Sequence, residues 1–310
     1  MTADRPVLGI LLMLGFCVVA PLADALAKLL GETVSVGQLV AFRMVIQVAL
    51  LWPIAWWAGL TLRMPRRVLM LTVLRACLHI AGIGAMILSL RYLPLADAVA
   101  IAFVMPFIML LLGRFVLGEE VGRRRIVACC VGFVGTLMVM QPSFAEVGWP
   151  VVLPLVVALV FALFMLVTRQ VAKETDPIAL QVVSGIIATM IMVPVLLLGD
   201  GAAIPVLSVS NPVGTDWVLI FVMGALGTAG HLLMTWSLRF APSATLAPMQ
   251  YLEIPVATFV GWLIFRDFPD GLALAGIGVT IGAGLYVIYR EQQVSLSARK
   301  ERRAESLAEG

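Results

Sequence analysis

Apolar runs of about 20 residues recur along the chain, and short polar breaks separate them. A run of this length is enough for one α-helix to cross the hydrocarbon core of a bilayer. Prolines, glycines and arginine clusters mark the breaks, because they interrupt helices or avoid lipid. The pattern predicts ten membrane-spanning helices, at residues 7–30, 37–60, 68–90, 97–117, 126–141, 149–169, 177–199, 216–239, 244–265 and 271–290.

Composition agrees with this pattern. The chain is 62% hydrophobic and 13% charged, which is typical of a protein whose surface faces lipid. The long apolar runs lack the alternation of a transmembrane β-barrel, so a helical bundle is the remaining way to satisfy the backbone in hydrocarbon. We therefore predict an all-α integral membrane protein with the lipid bilayer as its immediate partner.

The positive residues are unevenly distributed between alternate loops. If the N-terminus is cytoplasmic, the clusters Arg63–Arg67 and Arg123–Arg125 and the basic C-terminal segment all lie inside, whereas the outside loops keep only Arg91 and Arg266. This bias predicts that both termini are cytoplasmic. The net charge of +3 does not indicate a nucleic-acid partner, because the positive residues lie at the span ends.

The two ends of the chain allow further interpretations. Arg5, the apolar run 7–20 and the small residues at 25–27 imitate a cleavable signal peptide, but Asp4 offsets Arg5 and weakens that alternative. Cleavage would leave nine spans. Residues 291–310 are polar and charged, which predicts a disordered cytoplasmic tail.

Residues 78–113 return at 226–261 with a constant offset of 148. Ten of the 36 aligned positions are identical, against roughly three or four expected for so apolar a composition. With the predicted topology the third span runs outward and the eighth inward, so the repeat is inverted. Inverted repeats are typical of secondary transporters, in which two similar halves rock around a shared midplane site. The identities are Leu78/Leu226, Ala81/Ala229, Gly82/Gly230, Met86/Met234, Ser89/Ser237, Leu90/Leu238, Arg91/Arg239, Pro94/Pro242, Ala96/Ala244 and Gly113/Gly261.

Cofactor and metal chemistry find little support in the sequence. The four cysteines fall inside predicted spans, and the two histidines have no cysteine or carboxylate at ligand spacing, so we expect neither a metal nor a cofactor. No Walker-type phosphate loop is present, so ATP does not drive the protein directly.

Several segments together carry a family resemblance: residues 237–244, 250–253 and 261–267 in the second half, and 89–98 and 118–120 in the first. With them the chain, over residues 7–290, resembles the EamA family of the drug/metabolite transporter superfamily. The resemblance implies a 5+5 inverted-repeat bundle with EamA-like repeats at 1–145 and 146–290. It also implies exchange of organic metabolites across a bacterial-type inner membrane by alternating access, through a cavity lined by spans one to four and six to nine. Arg266-Asp267 stands where related second halves often have Gly-Glu, so we assign no role to Arg266.

Charged and polar residues inside spans are functional candidates, because burying them in lipid is costly. Asp24 and Lys28 share a face of the first span and can neutralise each other or contribute to a cavity. Arg43 with Gln47, and Arg75 with His79, repeat the four-residue spacing. A guanidinium suits a carboxylate or phosphate, so both arginines are candidates for an anionic substrate group. The alternative is that either one pairs with Asp24 or Asp97 to hold helices together.

The second half adds further candidates. Gln250, Tyr251 and Glu253 lie together in the ninth span. A carboxyl group at that depth pairs with a positive charge or stays protonated, because desolvation disfavours its ionised form. Glu253 is thus a candidate for proton coupling, with His79 and Asp24 as further candidates, or a structural partner for an arginine. His231 and Thr235 share one face of the eighth span with Thr228, so we predict that they face inward.

Gly278 and Gly282 form a GxxxG pair in the tenth span, and Ala128 and Gly132 a weaker small-residue pair in the fifth. They fit either a homodimer seam through spans five and ten or tight packing within one chain.

Two classes of function remain: a proton-coupled or exchanging transporter of a small polar metabolite, and an intramembrane enzyme acting on a lipid-borne substrate. An enzyme needs a nucleophile with a base, a metal set or paired carboxylates, and the sequence offers only Asp24 with Glu253 across helices. The inverted repeat favours the transporter, and arginines together with carboxylates favour a zwitterionic, amino-acid-like solute.

Overall fold

The computed structural model describes residues 5–119, 122–139, 149–266, 271–272, 274–283, 285–286, 289–290 and 293. The regular elements in these ranges are helices. They are α1 (Pro6–Leu30), α2 (Val36–Trp57), α3 (Arg66–Leu90), α4 (Leu95–Ala102), α5 (Met105–Val116), α6 (Arg123–Val139), α7 (Val152–Ala172), α8 (Pro177–Gly201), α9 (Asp216–Phe240), α10 (Ser243–Gln250), α11 (Glu253–Phe265) and α12 (Leu274–Ala283). The predicted tail at 291–310, the boundary near residue 145 and Asp267 lie outside the described residues, save for Gln293.

Within the described ranges, six helices are long and apolar enough to cross a membrane: α1, α2, α3, α7, α8 and α9, with 21 to 25 residues each. At 1.5 Å per residue, 25 residues extend ~37 Å, which exceeds a hydrocarbon core of ~30 Å. The all-helical membrane class is therefore confirmed. The total of ten spans stays a prediction, because the other four predicted spans correspond to shorter helices or to ranges that are only partly described.

Capping residues set where the second helix of each half begins. The Ser35 side chain accepts a hydrogen bond from the Gln38 backbone N–H at 3.3 Å and caps α2. The Asp176 carboxylate does the same for α8, accepting from the Ile178 N–H at 2.8 Å, and Pro177 occupies the first turn. Both caps satisfy backbone donors that a helix start leaves unpaired.

The fourth and ninth predicted spans differ from expectation, because each is divided into two short helices. A turn at Phe103–Val104 separates α4 from α5, and a turn at Tyr251–Leu252 separates α10 from α11. Pro106 and Pro255, in the first turns of α5 and α11, lack the N–H that would continue the preceding helix. Phe103 and Tyr251 are 148 residues apart, the offset of the sequence repeat, and their ring centroids lie 5.5 Å apart.

The most extensive helix contacts join α1 with α9, α3 with α7 and α2 with α8. Gly9 contacts Ala241 and Gly15 contacts Leu233, so α1 and α9 run in opposite directions. Arg75 contacts Thr235 and His79 contacts His231, so α3 and α9 are also antiparallel. Consequently α1 and α3 begin at one end of the bundle, which we call the near face, and end at the other, the far face.

Gly132 shows how the fifth span uses its small residues. A Cβ at Gly132 would lie 2.6 Å from the Tyr251 ring, so the glycine lets α6 pack closely on the turn between α10 and α11. Gly135 similarly lets Thr280 of α12 approach. The small residues of α6 thus serve contacts within the chain, and the homodimer stays a prediction.

Candidate functional site

An open cavity lies between the two halves of the bundle. Its walls are largely apolar and aromatic, with Phe16 from α1, Phe161 from α7 and Phe103 from the turn after α4. The polar side chains on its surface are Asp24, Arg43, His231 and Glu253. An apolar cavity with a few convergent polar groups is the usual form of a small-molecule site.

The cavity lies toward the far face. Asp24 belongs to the part of α1 near its far end, and Arg43 to the part of α2 near the same face. Met86, near the end of α3, and Val99, in the short helix α4 that follows it, also line the cavity. A solute in the cavity would therefore be closer to the far face than to the near face.

The charged groups of the cavity have unused hydrogen-bonding capacity. Arg43 and Glu253 are only 6% and 8% exposed, and Asp24 is half-buried. Arg43 is near enough to Asp24 for their charges to attract, and Asp24 near enough to Glu253 for their charges to repel. Among the described residues, none of the three forms a hydrogen bond or a close ion pair. Desolvated charges in this condition favour a ligand that supplies the missing partners.

Arg75 has a different environment from Arg43. Its Nε donates to Thr168 Oγ1 at 2.9 Å, its Nη1 to Ser184 Oγ at 2.7 Å, and its Nη2 to Gln181 Oε1 and Thr235 Oγ1 at 3.2 and 3.4 Å. The side chain is fully buried, and it lies outside the cavity wall. Its neutral partners come from α7, α8 and α9, so Arg75 joins these helices to α3.

Gln47 and Thr235 belong to the same polar network behind the cavity. Gln47 Nε2 donates to the Gln181 carbonyl at 2.7 Å, and Gln181 Nε2 donates to Thr235 Oγ1 at 3.2 Å. Gln181, Ser184 and Thr168 were not among the predicted site residues. The sequence does contain a signal that could have identified these three residues, because each is a polar residue inside a long apolar helix.

His79 and His231 form a buried pair between this network and the cavity. Their Nε2 atoms are 3.3 Å apart, so one imidazole donates and the other accepts, which requires opposite tautomers. His231 lines the cavity, whereas His79 stacks on Phe164, with ring centroids 4.9 Å apart. Among the described residues, His231 Nδ1 has no hydrogen-bond partner.

Gln250 and Tyr251, predicted beside Glu253, do not line the cavity. The Gln250 amide contacts the sulfur atoms of Met109 and Met165, at 3.8 and 3.3 Å. The Tyr251 ring packs against Phe103 and Gly132. Of the predicted site residues, the structure thus brings Asp24, Arg43, His231 and Glu253 to one cavity and places the other six behind its wall.

A buried ion pair lies at the near face. Arg169 Nε is 3.3 Å from Glu119 Oε1, and the two side chains are 9% and 10% exposed. Arg169 Nη1 also donates to the Leu238 carbonyl, and Glu119 accepts from the Ser243 N–H and hydroxyl, at 3.1 and 3.3 Å. These bonds join the chain after α5 to α7 and to the junction of α9 and α10 at the near end of the bundle.

Comparison with known proteins identifies related sequences along almost the whole chain. The model of the EamA-like transporter family matches twice, at residues 7–141 and 148–290. The S-adenosylmethionine uptake transporter of Rickettsia prowazekii is 24% identical over 293 residues, covering 94% of this chain and 96% of the relative. The riboflavin transporter of Rhizobium johnstonii is 28% identical over 219 residues, covering 71% and 70%. The pseudopaline exporter of Pseudomonas aeruginosa is 24% identical over 271 residues, covering 87% and 92%.

One solved crystal structure has a similar fold. It superposes with a TM-score of 0.69 at 18% identity, covering 93% of this chain and 98% of the other. Identity this low shows the fold alone.

Proposed function

This chain belongs to the EamA-like transporter family, and we propose that it moves a zwitterionic, amino-acid-like metabolite across the bacterial inner membrane by alternating access. The observation that carries the proposal is the cavity, which presents one arginine and two carboxyl groups between aromatic walls.

The proposed architecture has ten spans, arranged as two five-helix repeats at 1–145 and 146–290 with opposite topology. Three observations support it: the family model matches once in each half, α3 and α9 are antiparallel, and the helix breaks lie at the repeat offset. Discontinuous helices at corresponding positions of two inverted halves are a recurrent feature of transporter binding sites. The arginine bias supports a cytoplasmic near face with both termini inside.

The proposed substrate has a carboxylate for Arg43 and a cationic group for Asp24 and Glu253. A guanidinium binds a carboxylate with two parallel hydrogen bonds, and buried carboxylates attract an ammonium or sulfonium group. Phe16 and Phe161 offer flat apolar surface for the rest of the solute. S-adenosylmethionine, named for one relative, has all three features, whereas riboflavin, named for another, lacks the carboxylate and the ammonium.

Alternating access requires the near face to open after the solute binds from the far side. The Glu119–Arg169 pair then has to separate, because it joins the helix ends that close the near face. The energy that couples this cycle to accumulation is proposed to come from protons. Glu253 is the first candidate, since it lines the cavity and is almost completely buried, and Asp24 is the next. His79 contacts the cavity only through His231.

A thermal-shift screen of the purified protein against metabolites tests this proposal. Ligands that bind the folded state raise the Tm by mass action, so zwitterions with a carboxylate and a cationic group should raise it. Matched analogues lacking either group should raise it much less. A Tm that responds equally to the amide analogue, in which the carboxylate is gone, would contradict the proposed role of Arg43. Uptake into proteoliposomes with and without a pH gradient then decides the coupling.

A further inference from the structure

Gly227 lies directly beneath the Arg43 guanidinium. A Cβ placed on Gly227 would come within 2.5 Å of Arg43 Nε, 2.6 Å of Cζ and 2.8 Å of Nη2. Contacts of that length require one group to move, and the guanidinium can move because it is the far end of a flexible side chain. The guanidinium therefore occupies space that any side chain at 227 would fill. The planar group thus lies against bare backbone of α9.

Gly224 repeats this arrangement one turn earlier along α9. A Cβ there would come within 2.6 Å of the Ile46 side chain of α2. Residues 43 and 46 of α2 therefore meet residues 227 and 224 of α9, as two antiparallel helices require. The two glycines let α2 and α9 approach closely, but only Gly227 borders a charged group of the cavity.

The sequence repeat shows that the two halves of the chain differ at the position of Gly227. With the offset of 148, Gly227 corresponds to His79 in the first half. The first half thus carries an imidazole at this position, whereas the second half has no side chain and admits the guanidinium of Arg43. The two halves of the repeat differ where they meet the cavity, and this difference gives it a single positive group among its described lining residues.

Steric support matters for Arg43, because the described residues include no hydrogen-bond partner for it. A long side chain without such partners loses much rotamer entropy when a ligand fixes it, and packing beforehand lowers that cost. Thr228, the neighbour of Gly227, does not take this role, since its hydroxyl donates to the Gly224 carbonyl at 2.7 Å.

We propose that Gly227 is a positioning residue that sets substrate specificity, by holding the Arg43 guanidinium in the cavity wall where it binds the substrate's carboxylate. The proposal rests on the proposed function, because it assumes that the solute bears a carboxylate. Gly227 itself does not touch the solute. Its role is to leave room for the group that does.

The test compares binding of a zwitterion with binding of its carboxamide analogue to the purified full-length protein. In Gly227→Ala the methyl group displaces the guanidinium, and the Kd for the zwitterion should rise about tenfold, as for the loss of one charge-assisted hydrogen bond. The Kd for the carboxamide should change by less than about twofold, because that analogue does not use the guanidinium. The preference for the carboxylate should therefore fall.

Two glycines of α9 provide matched controls. Gly230→Ala adds the same methyl group to the same helix, but its Cβ would lie at ordinary contact distances, 3.6 Å from Val19 and 3.7 Å from Phe16. Gly224→Ala creates an equally severe clash, with Ile46 instead of Arg43. Both variants should keep the wild-type preference for the carboxylate, and Gly224→Ala should lower the Tm. Loss of the preference in Gly224→Ala would show that helix separation alone is responsible and would overturn the proposal.

Arg43→Ala separates failure of this inference from failure of the proposed function. If Arg43→Ala keeps the carboxylate preference, Arg43 does not bind the carboxylate and the proposed site is wrong. If Arg43→Ala loses the preference while Gly227→Ala keeps it, the role of Gly227 alone is wrong. If Gly227→Ala does not fold, combining it with Arg43→Ala should restore folding, because the clashing atoms are gone. Continued misfolding of that double variant would also overturn the proposal.

Discussion

Arg43 and Arg75 show how one residue type serves two purposes in the same bundle. Arg43 faces the cavity without a hydrogen-bond partner among the described residues, whereas Arg75 is surrounded by hydroxyl and amide oxygens of three other helices. Sequence alone gave the two arginines the same spacing to a polar neighbour and could not distinguish them. The difference arises from the helices that each side chain contacts, and the spacing of residues within one helix does not determine which helices pack against it.

Lysine substitution should separate these two roles. Arg43→Lys keeps the charge but loses the two-pronged geometry, so the Kd for a carboxylate-bearing solute should rise about tenfold with little change in Tm. Arg75→Lys should lower the Tm by several degrees, because an ammonium cannot reach the Thr168, Ser184 and Gln181 oxygens together. Ligand titrations and thermal unfolding measure both effects. Unchanged affinity in a folded Arg43→Lys protein would count against the carboxylate site.

Glu253→Gln tests proton coupling. Glutamine keeps the shape of the protonated carboxyl group but cannot release a proton. Because Asp24 still faces the cationic group of the solute, binding and solute exchange should weaken but persist, while accumulation driven by a pH gradient is abolished. Uptake into proteoliposomes with and without the gradient measures this. Adding Gln250→Glu to the Glu253→Gln variant should not restore accumulation, because Gln250 does not line the cavity. Gradient-driven uptake at the wild-type level would place the proton elsewhere, with Asp24 next.

At the scale of elements, hydrophobic patterning predicted the long helices well. The expected spans 7–30 and 216–239 compare with Pro6–Leu30 and Asp216–Phe240. Pro106 and Pro255 predicted local bending of the fourth and ninth spans, but not the division of each span into two helices, because prolines often bend a helix without dividing it. The break also explains why Gln250 and Glu253 separate: they belong to different helices, α10 and α11, and point to different surroundings.

The Glu119–Arg169 ion pair joins helix ends at the near face, so weakening it should make this face open more easily. Glu119→Gln removes the charge that faces Arg169, so the near face should open more often. A cysteine at Ala241, which is fully buried there, should then react with a thiol reagent several-fold faster than in the wild-type background. The exchanged pair Glu119→Arg with Arg169→Glu should partly restore protection. Equal labelling rates in all these proteins would show that the ion pair does not close this face.

In the whole molecule, the two halves share a pattern of helices but differ at residues close to the cavity. The breaks at Phe103 and Tyr251 correspond through the repeat, whereas His79 corresponds to Gly227. This combination suits a transporter, because similar halves allow two opposite conformations of comparable energy while the differing residues give one substrate site a defined polarity.

The proposed topology gives a direct test of the inverted arrangement. Reporter proteins fused after Gly122 and after Gly310 should read cytoplasmic, and a reporter at Asn211 should read periplasmic, because the arginine-rich segments stay inside. A cytoplasmic signal at Asn211 would remove the basis for placing α3 and α9 in opposite orientations across the membrane.

We propose that the cavity carries a zwitterion across the membrane by means of Arg43 and the two carboxyl groups. Counterflow in proteoliposomes tests it most directly: vesicles loaded with an unlabelled amino-acid-like zwitterion, such as S-adenosylmethionine, are placed in a trace of the labelled compound. We predict that wild-type protein accumulates the label transiently, and that Arg43→Ala reduces the initial rate at least about tenfold while the folded Gly230→Ala control does not. Counterflow that is equally fast in Arg43→Ala, or absent for every zwitterion tested, would contradict the account.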